Sequence, residues 1–216
     1  MTTREKLMDT ALTMFSTRGF SAVSVRNIAY AVGVKESAMY KHFANKQALF
    51  DALVEEYMQK SDAFMGGIGA VFTNDTQQMN RQADVYGRMN DEEFLQIAAS
   101  VFTNFLMKDE VKKFWRMISI EQYNNPDMAD IFNRLLFEQP MQFQTVFFGM
   151  LVEAGQLKKT DPAMLAMAFY TPALMMYLRT LPYQDGHPVA EESLQLFKAH
   201  MMEFRKTYAH TSKEDE

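Results

Sequence analysis

Between positions 24 and 46 the chain gathers side chains suited to holding a polyanion. Arg26, Lys35, Lys41 and Lys46 carry cationic groups, Ser37 and Tyr40 carry hydroxyls, and His42 carries an imidazole. Donors of this kind make charge-assisted hydrogen bonds to phosphate oxygens, and the same types also read base edges. Their order predicts a division of labour. Ser37 through its hydroxyl, Ala38 through a methyl contact to thymine and Glu36 by accepting from a cytosine amine are expected at bases. Tyr40, His42 and Lys46 are expected at phosphates, and Lys46 stands at a predicted helix start, where backbone N–H groups attract anions.

Other chemistry is thin. The four histidines, His42, His187, His200 and His210, show no metal-ligand spacing, and there is no cysteine to supply a thiolate ligand, a disulfide or a nucleophile. No serine sits in a nucleophile elbow, and Gly66-Gly-Ile-Gly69 lacks the Lys-Ser/Thr of a phosphate loop. The acidic pairs Glu92-Glu93 and Glu191-Glu192 read as helix-start charges. Neither an enzyme nor a cofactor is expected.

The elements that must position the cationic segment are helices. Gly and Pro are few and apolar residues recur at three and four spacings, which predicts an all-α chain. A first helix is predicted over about Thr3 to Thr17, with Leu7, Ala11 and Phe15 inward and Arg18-Gly19 ending it. Ser24 caps a short second helix with core face Val25, Ile28, Ala29 and Val32, and Gly33 supplies a left-handed stop. A third helix is predicted from Lys35 to His42 with Met39 and Phe43 inward. Asn45 then caps a fourth beginning at Lys46. Two short helices locked across a glycine turn by an apolar seam form a helix-turn-helix, whose second helix enters the major groove.

Downstream, Gly66, Gly67 and Gly69 are expected to break the pattern near Met65, with an irregular stretch to Asp91. Further helices are predicted over about 91–107, 109–123, 127–154 (kinked at Pro140), 161–181 and 189–208. The implied organisation is a helix-turn-helix domain over 1–46, a helical domain over 47–210 and a polar tail over 211–216.

Charge supports that division. The net charge is −5, yet the first 50 residues hold seven basic against three acidic side chains, a net of +4, leaving −9 on the rest. A basic head on an acidic body can grip phosphates, although a solvated face has the same composition. The N-terminus carries no secretory apolar core. The greasiest stretch, Ala163 to Leu181, contains Pro172 and Arg179 and suits a buried helix better than a membrane span. A soluble, cytoplasmic protein is expected, with no membrane partner.

The series Leu7…Ala11…Phe15…Arg18-Gly19-Phe20…Ile28-Ala29…Gly33-Val34…Met39-Tyr40-Lys41-His42-Phe43…Asn45-Lys46…Leu49 resembles the N-terminal domain of the TetR family of transcriptional regulators. The resemblance implies a three-helix DNA-binding head, an all-helical ligand-binding body and dimers joined through the last two helices. By that likeness Tyr40, His42 and Lys46 fall on phosphate-contact positions, Lys35 through Ala38 on the base-facing turn, and Arg26 on a flanking backbone contact. Lys35 stands where the family commonly has a small capping residue, and Ala38 where it has Ser or Thr.

Two questions stay open in the body. Residues 51–216 hold 15 of the 19 Met and 14 of the 18 Phe. Phe102, Phe105, Met117, Phe132, Phe147 and Met150, with Trp115 and Tyr123 as polar handles, could frame a pocket for a small apolar or aromatic ligand or simply fill a core. The stripes Met167, Leu174, Leu178, Leu181 and Leu194, Phe197, Met201, Phe204, Tyr208 could build a two-fold four-helix bundle with a second copy or pack within the chain. A homodimeric, ligand-responsive repressor on palindromic double-stranded DNA is the expectation. The alternative is a DNA-bound adaptor that recruits a protein.

Overall fold

Helix caps set the frame of the N-terminal segment. Thr2 accepts from the Glu5 N–H while Glu5 reaches back to the Thr2 N–H, which opens α1 (Thr3–Arg18) with a capping box. The same reciprocal pair between Ser24 and Asn27 opens α2 (Val25–Val32). Gly33 closes α2 in the left-handed region at φ 77°, ψ 29°. The computed structural model describes residues 1–69, 84–184 and 186–210. The continuing elements are α3 (Glu36–Tyr40), α4 (Lys46–Gly69), α5 (Asp91–Val101), α6 (Asp109–Glu121), α7 (Pro126–Asn133), α8 (Gln139–Glu153), α9 (Pro162–Thr180) and α10 (Pro188–Tyr208). One isolated bridge, Leu157 with Ala209, is the only β pairing among the described residues. The all-α reading with an N-terminal helix-turn-helix is the observed architecture.

Three departures from the sequence reading have physical reasons. Helix α4 runs through Gly66 and Gly67 to Gly69 instead of breaking near Met65. None of these glycines has the positive φ that would end a helix, so they cost propensity, about 1 kcal/mol each, without forcing a stop. Helix α3 is shorter than predicted, because Lys35 gives no side-chain cap and His42 already closes a tighter turn onto the Met39 carbonyl. The interruption assigned to Pro140 begins earlier, as a π-helical turn over Arg134–Glu138 between α7 and α8. Pro140 has no N–H to return to the Leu136 carbonyl one turn back, and the Tyr170 hydroxyl donates to that carbonyl instead at 2.7 Å. The predicted tail and most of the irregular stretch, residues 70–83, lie outside the described residues.

The chain forms two compact units, Met1–Met65 with Asp109–Phe132, and Gly66–Lys108 with Asn133–Glu216. In the first, α6 packs along α1. Leu7, Ala11, Phe15, Ile28, Met39, Leu49 and Phe50 are buried there, and the rings of Phe15, Phe20 and Phe50 meet at centroid distances of 5.1–5.8 Å. Tyr57 of α4 stacks on Phe114 of α6 at 3.5 Å. In the second unit, Phe148, Phe169 and Phe204 form a triangle at 5.2–5.3 Å over buried Leu151, Leu157 and Leu165. A second π-helical turn, Phe102–Leu106, follows α5.

Candidate nucleic-acid interface

The reading segment is positioned from beneath. Ile28, Ala29, Met39 and Phe43 are buried and hold α2 against α3. The Val34 N–H returns to the Ala29 carbonyl across the Gly33 turn at 2.9 Å, which fixes where α3 begins. Ser37 and Tyr40 then share the outward side of α3 by three-four spacing with Lys41 at its C-terminal cap, and all three are exposed. Lys35 and His42 are exposed at its two ends, and Ala38 is half-buried beside them. Among the described residues, Lys35, Ser37, Tyr40, Lys41 and His42 make no side-chain hydrogen bond or ion pair, so their donors face outward unspent.

Three of the sequence-designated residues have partners inside the protein. The Arg26 guanidinium of α2 donates through Nε to Glu36 Oε1 of α3 at 2.9 Å, which raises the Arg26 pKa still further through that hydrogen bond and the charge behind it. Glu36 therefore neutralises a cation on the face expected to meet phosphate. Lys46 is drawn inward. Its ammonium donates to the Phe20 and Val23 carbonyls, each at 2.8 Å, and lies 4.0 Å above the Phe20 ring centroid. Two of its three N–H groups are committed to the α1–α2 loop, so its first task is to shape the head. Asn45 caps α4 by accepting from the Ala48 N–H at 2.8 Å.

Sequence reasoning missed Tyr30, whose side chain is 86% exposed at the end of α2. The signal was present, since an aromatic there falls off the Val25, Ile28, Ala29, Val32 seam. It also missed Glu121, a carboxylate 7% exposed that accepts from the Phe20 N–H at 2.7 Å. Nothing local announces that contact, which joins residues 101 positions apart.

The residues expected to frame a pocket divide between the units. Trp115, Met117, Tyr123 and Phe132 belong to the first, and Phe102, Phe105, Phe147 and Met150 to the second. Trp115 and Met117 are core, with Phe132 edge-on to Trp115 at 6.0 Å, while Tyr123 is 85% exposed in the turn after α6. Phe102 stacks on Phe197 at 4.7 Å, Phe147 meets Tyr86 edge-on, and Met150 is buried. Phe105 lies in the π-helical turn. Of the residues expected at a dimer contact, Leu181, Phe197, Met201 and Phe204 are buried in their own unit. Leu174, Leu178, Leu194 and Tyr208 are half-buried, and Met167 is exposed. Among the described residues no cluster of three or more His, Asp or Glu could hold a metal ion, and no helix is long and apolar enough to cross a membrane.

A two-helix reading head with outward donors, mounted on a helical frame, defines the class as helix-turn-helix DNA-binding proteins. Residues 7–53 match the profile described as bacterial regulatory proteins, tetR family, so this N-terminal segment is similar to the DNA-binding domain of that family. It is 36% identical over 55 residues to the HTH-type transcriptional repressor KstR2 of Rhodococcus jostii, 26% of this chain and 27% of that protein. It is 35% identical over 72 residues to the nucleoid occlusion factor SlmA of Haemophilus influenzae, 33% of this chain and 32% of that one. The matched stretch thus spans about a third or less of either curated relative. A crystal structure of a TetR-family regulator from Mesorhizobium loti superposes over 96% of both chains with a TM-score of 0.63 at 18% identity, which shows the shared fold along the whole chain.

Proposed function

We propose that the chain is a ligand-responsive repressor that binds a palindromic operator as a homodimer, with its reading head over residues 1–46 and its regulatory body over 47–210. The observation that carries the DNA reading is the outward set Lys35, Ser37, Tyr40, Lys41 and His42, exposed and without internal hydrogen bonds or ion pairs, on and beside a helix locked by a buried seam. Tyr40, Lys41 and His42 grip phosphates together with Arg26, and Ser37 and Ala38 meet base edges. Glu36 stands between these roles, as an acceptor for a cytosine amine or as the counter-charge to Arg26.

The homodimer is supported by an exposed apolar stripe. Met164, Met167 and Met175 follow one face of α9, and Leu196 stands exposed on α10, which packs beside it. Two copies joined there would present two heads to two half-sites. Ligand response is supported by the Met- and Phe-rich second unit. Among its described residues, the Tyr86 hydroxyl and Gln144 Oε1 are buried without a hydrogen-bond partner, a state that a polar ligand atom or solvent relieves. A coupling of about 1–3 kcal/mol between ligand and operator shifts occupancy roughly five- to 150-fold.

The test separates the residue classes. Tyr40→Phe is expected to weaken binding to every duplex, and Ser37→Ala to change which duplex is preferred. Equal effects of both across all sequences would contradict these roles. Compounds that bind the purified protein are then added to the bound duplex, and release is expected for at least one. A DNA-bound adaptor is the second reading, favoured by the match to a nucleoid occlusion factor. Under it no such compound releases DNA.

A further inference from the structure

The loop between α1 and α2 is held from two sides by charged groups. Gly19 takes φ 77° and ψ 162°, a conformation open in practice to glycine alone, and this turns the Phe20 N–H toward α6. There it donates to Glu121 Oε1 at 2.7 Å. The carboxylate fills the space a side chain at position 19 would need, since a Cβ there would lie 3.2 Å from both Glu121 Oε1 and Ile120 Cγ2. On its other side Phe20 presents its carbonyl to Lys46, which also takes the Val23 carbonyl one residue before the Ser24 cap of α2. Both backbone groups of Phe20 are therefore tied to buried or half-buried charges, one on α6 and one at the start of α4.

We propose that Glu121 is a positioning residue for DNA reading. Carried by a helix far in sequence from the reading segment, it fixes Phe20, and through Phe20 the loop, Lys46 and the α2–α3 pair. The proposal rests on the DNA-reading role of the head argued above. A displacement of α6 would pull on this carboxylate directly, so α6 is a physical link to the head in addition to α4. A carboxylate buried at a peptide N–H costs desolvation that only a well-placed donor offsets, so the contact holds one geometry and is sensitive to small shifts.

The experiment uses the full chain and the duplex that it enriches from a random pool. Glu121→Leu keeps bulk and removes the acceptor, whereas Glu121→Gln keeps an acceptor oxygen. Glu121→Leu is expected to weaken the enriched duplex about tenfold or more, the scale of losing a hydrogen bond to a charged group. Binding to random-sequence DNA at low salt, which needs only cations, should change less than about twofold. Hydrogen exchange at the Phe20 amide should quicken in the same variant. Glu121→Gln should stay within about threefold of the parent on the enriched duplex. Parent-like affinity and Phe20 exchange in Glu121→Leu would overturn the proposal. So would a proportional loss on both DNAs with a collapse in melting temperature, which would mark a purely structural role. Should the Leu variant not fold, Glu121→Asp, which withdraws the carboxylate by one methylene, is held to the same criteria. If the parent itself enriches no sequence, the DNA reading fails, and Phe20 exchange in the variants still decides whether the contact holds the loop.

Discussion

The Arg26–Glu36 pair matters for its effect on charge more than for stability, because Arg26 is fully exposed and solvent screens the attraction. Glu36→Gln releases Arg26 and removes a negative charge from the reading face. Affinity for random-sequence duplex should rise, and the slope of log affinity against log salt should steepen by about one unit, as read by fluorescence anisotropy across a salt series. An unchanged slope would show that the pair with Glu36 does not limit the contact of Arg26 with phosphate. A second residue-scale expectation concerns Tyr170. Burial raises its pKa well above the ordinary tyrosine value, and its hydroxyl satisfies the Leu136 carbonyl. Because the folded value is the higher one, its contribution is complete below about pH 10 and is lost as pH rises through the folded value. Tyr170→Phe should cost about 1–3 kcal/mol in denaturant unfolding near neutrality. It should also soften the alkaline fall, leaving the part due to Tyr86, whose pKa burial raises against the opposing Arg205 charge.

Helix boundaries were legible wherever a local rule set them. Ser24, Gly33 and Asn45 cap or stop their helices as their residue types dictate, because each acts on backbone groups within three or four residues. Features that depend on distant partners were not legible. The inward turn of Lys46 needs the carbonyls of Phe20 and Val23, and the relief of Leu136 needs a tyrosine 34 residues away. Continuation of α4 through Gly66 and Gly67 shows the same limit, since helix propensity alone does not decide a helix end. At this scale Lys35→Ser, which supplies the missing cap of α3, should stabilise the head by about 0.5–2 kcal/mol, read by denaturant unfolding. The two positive-φ glycines of the head should also differ. Gly33→Ala meets open space and should cost about 1–2 kcal/mol. Gly19→Ala should cost more, because the backbone there is more restricted and the new methyl crowds Glu121 and Ile120.

In the whole molecule, the sequence signalled all-helical content and a basic head, but not which apolar stripe each helix keeps for itself. Phe197, Met201 and Phe204 read as interface candidates because a buried face and an interface share three-four spacing, and packing against α9 takes them into the core. In the proposed homodimer the exposed stripe of α9 is the surface that meets the second copy. Met175→Glu should therefore give a monomer by light scattering and lose tight operator binding while keeping the parent's helical signal. A dimer of parent mass would move the interface elsewhere. The central claim, that the outward face of α3 reads DNA sequence in a two-fold assembly, is tested most directly by selecting bound duplexes from a random pool with the purified chain. The account predicts enrichment of an inverted repeat whose half-sites are centred about one helical turn or a multiple apart, with affinity falling steeply as salt rises. Enrichment of no sequence above background would contradict it.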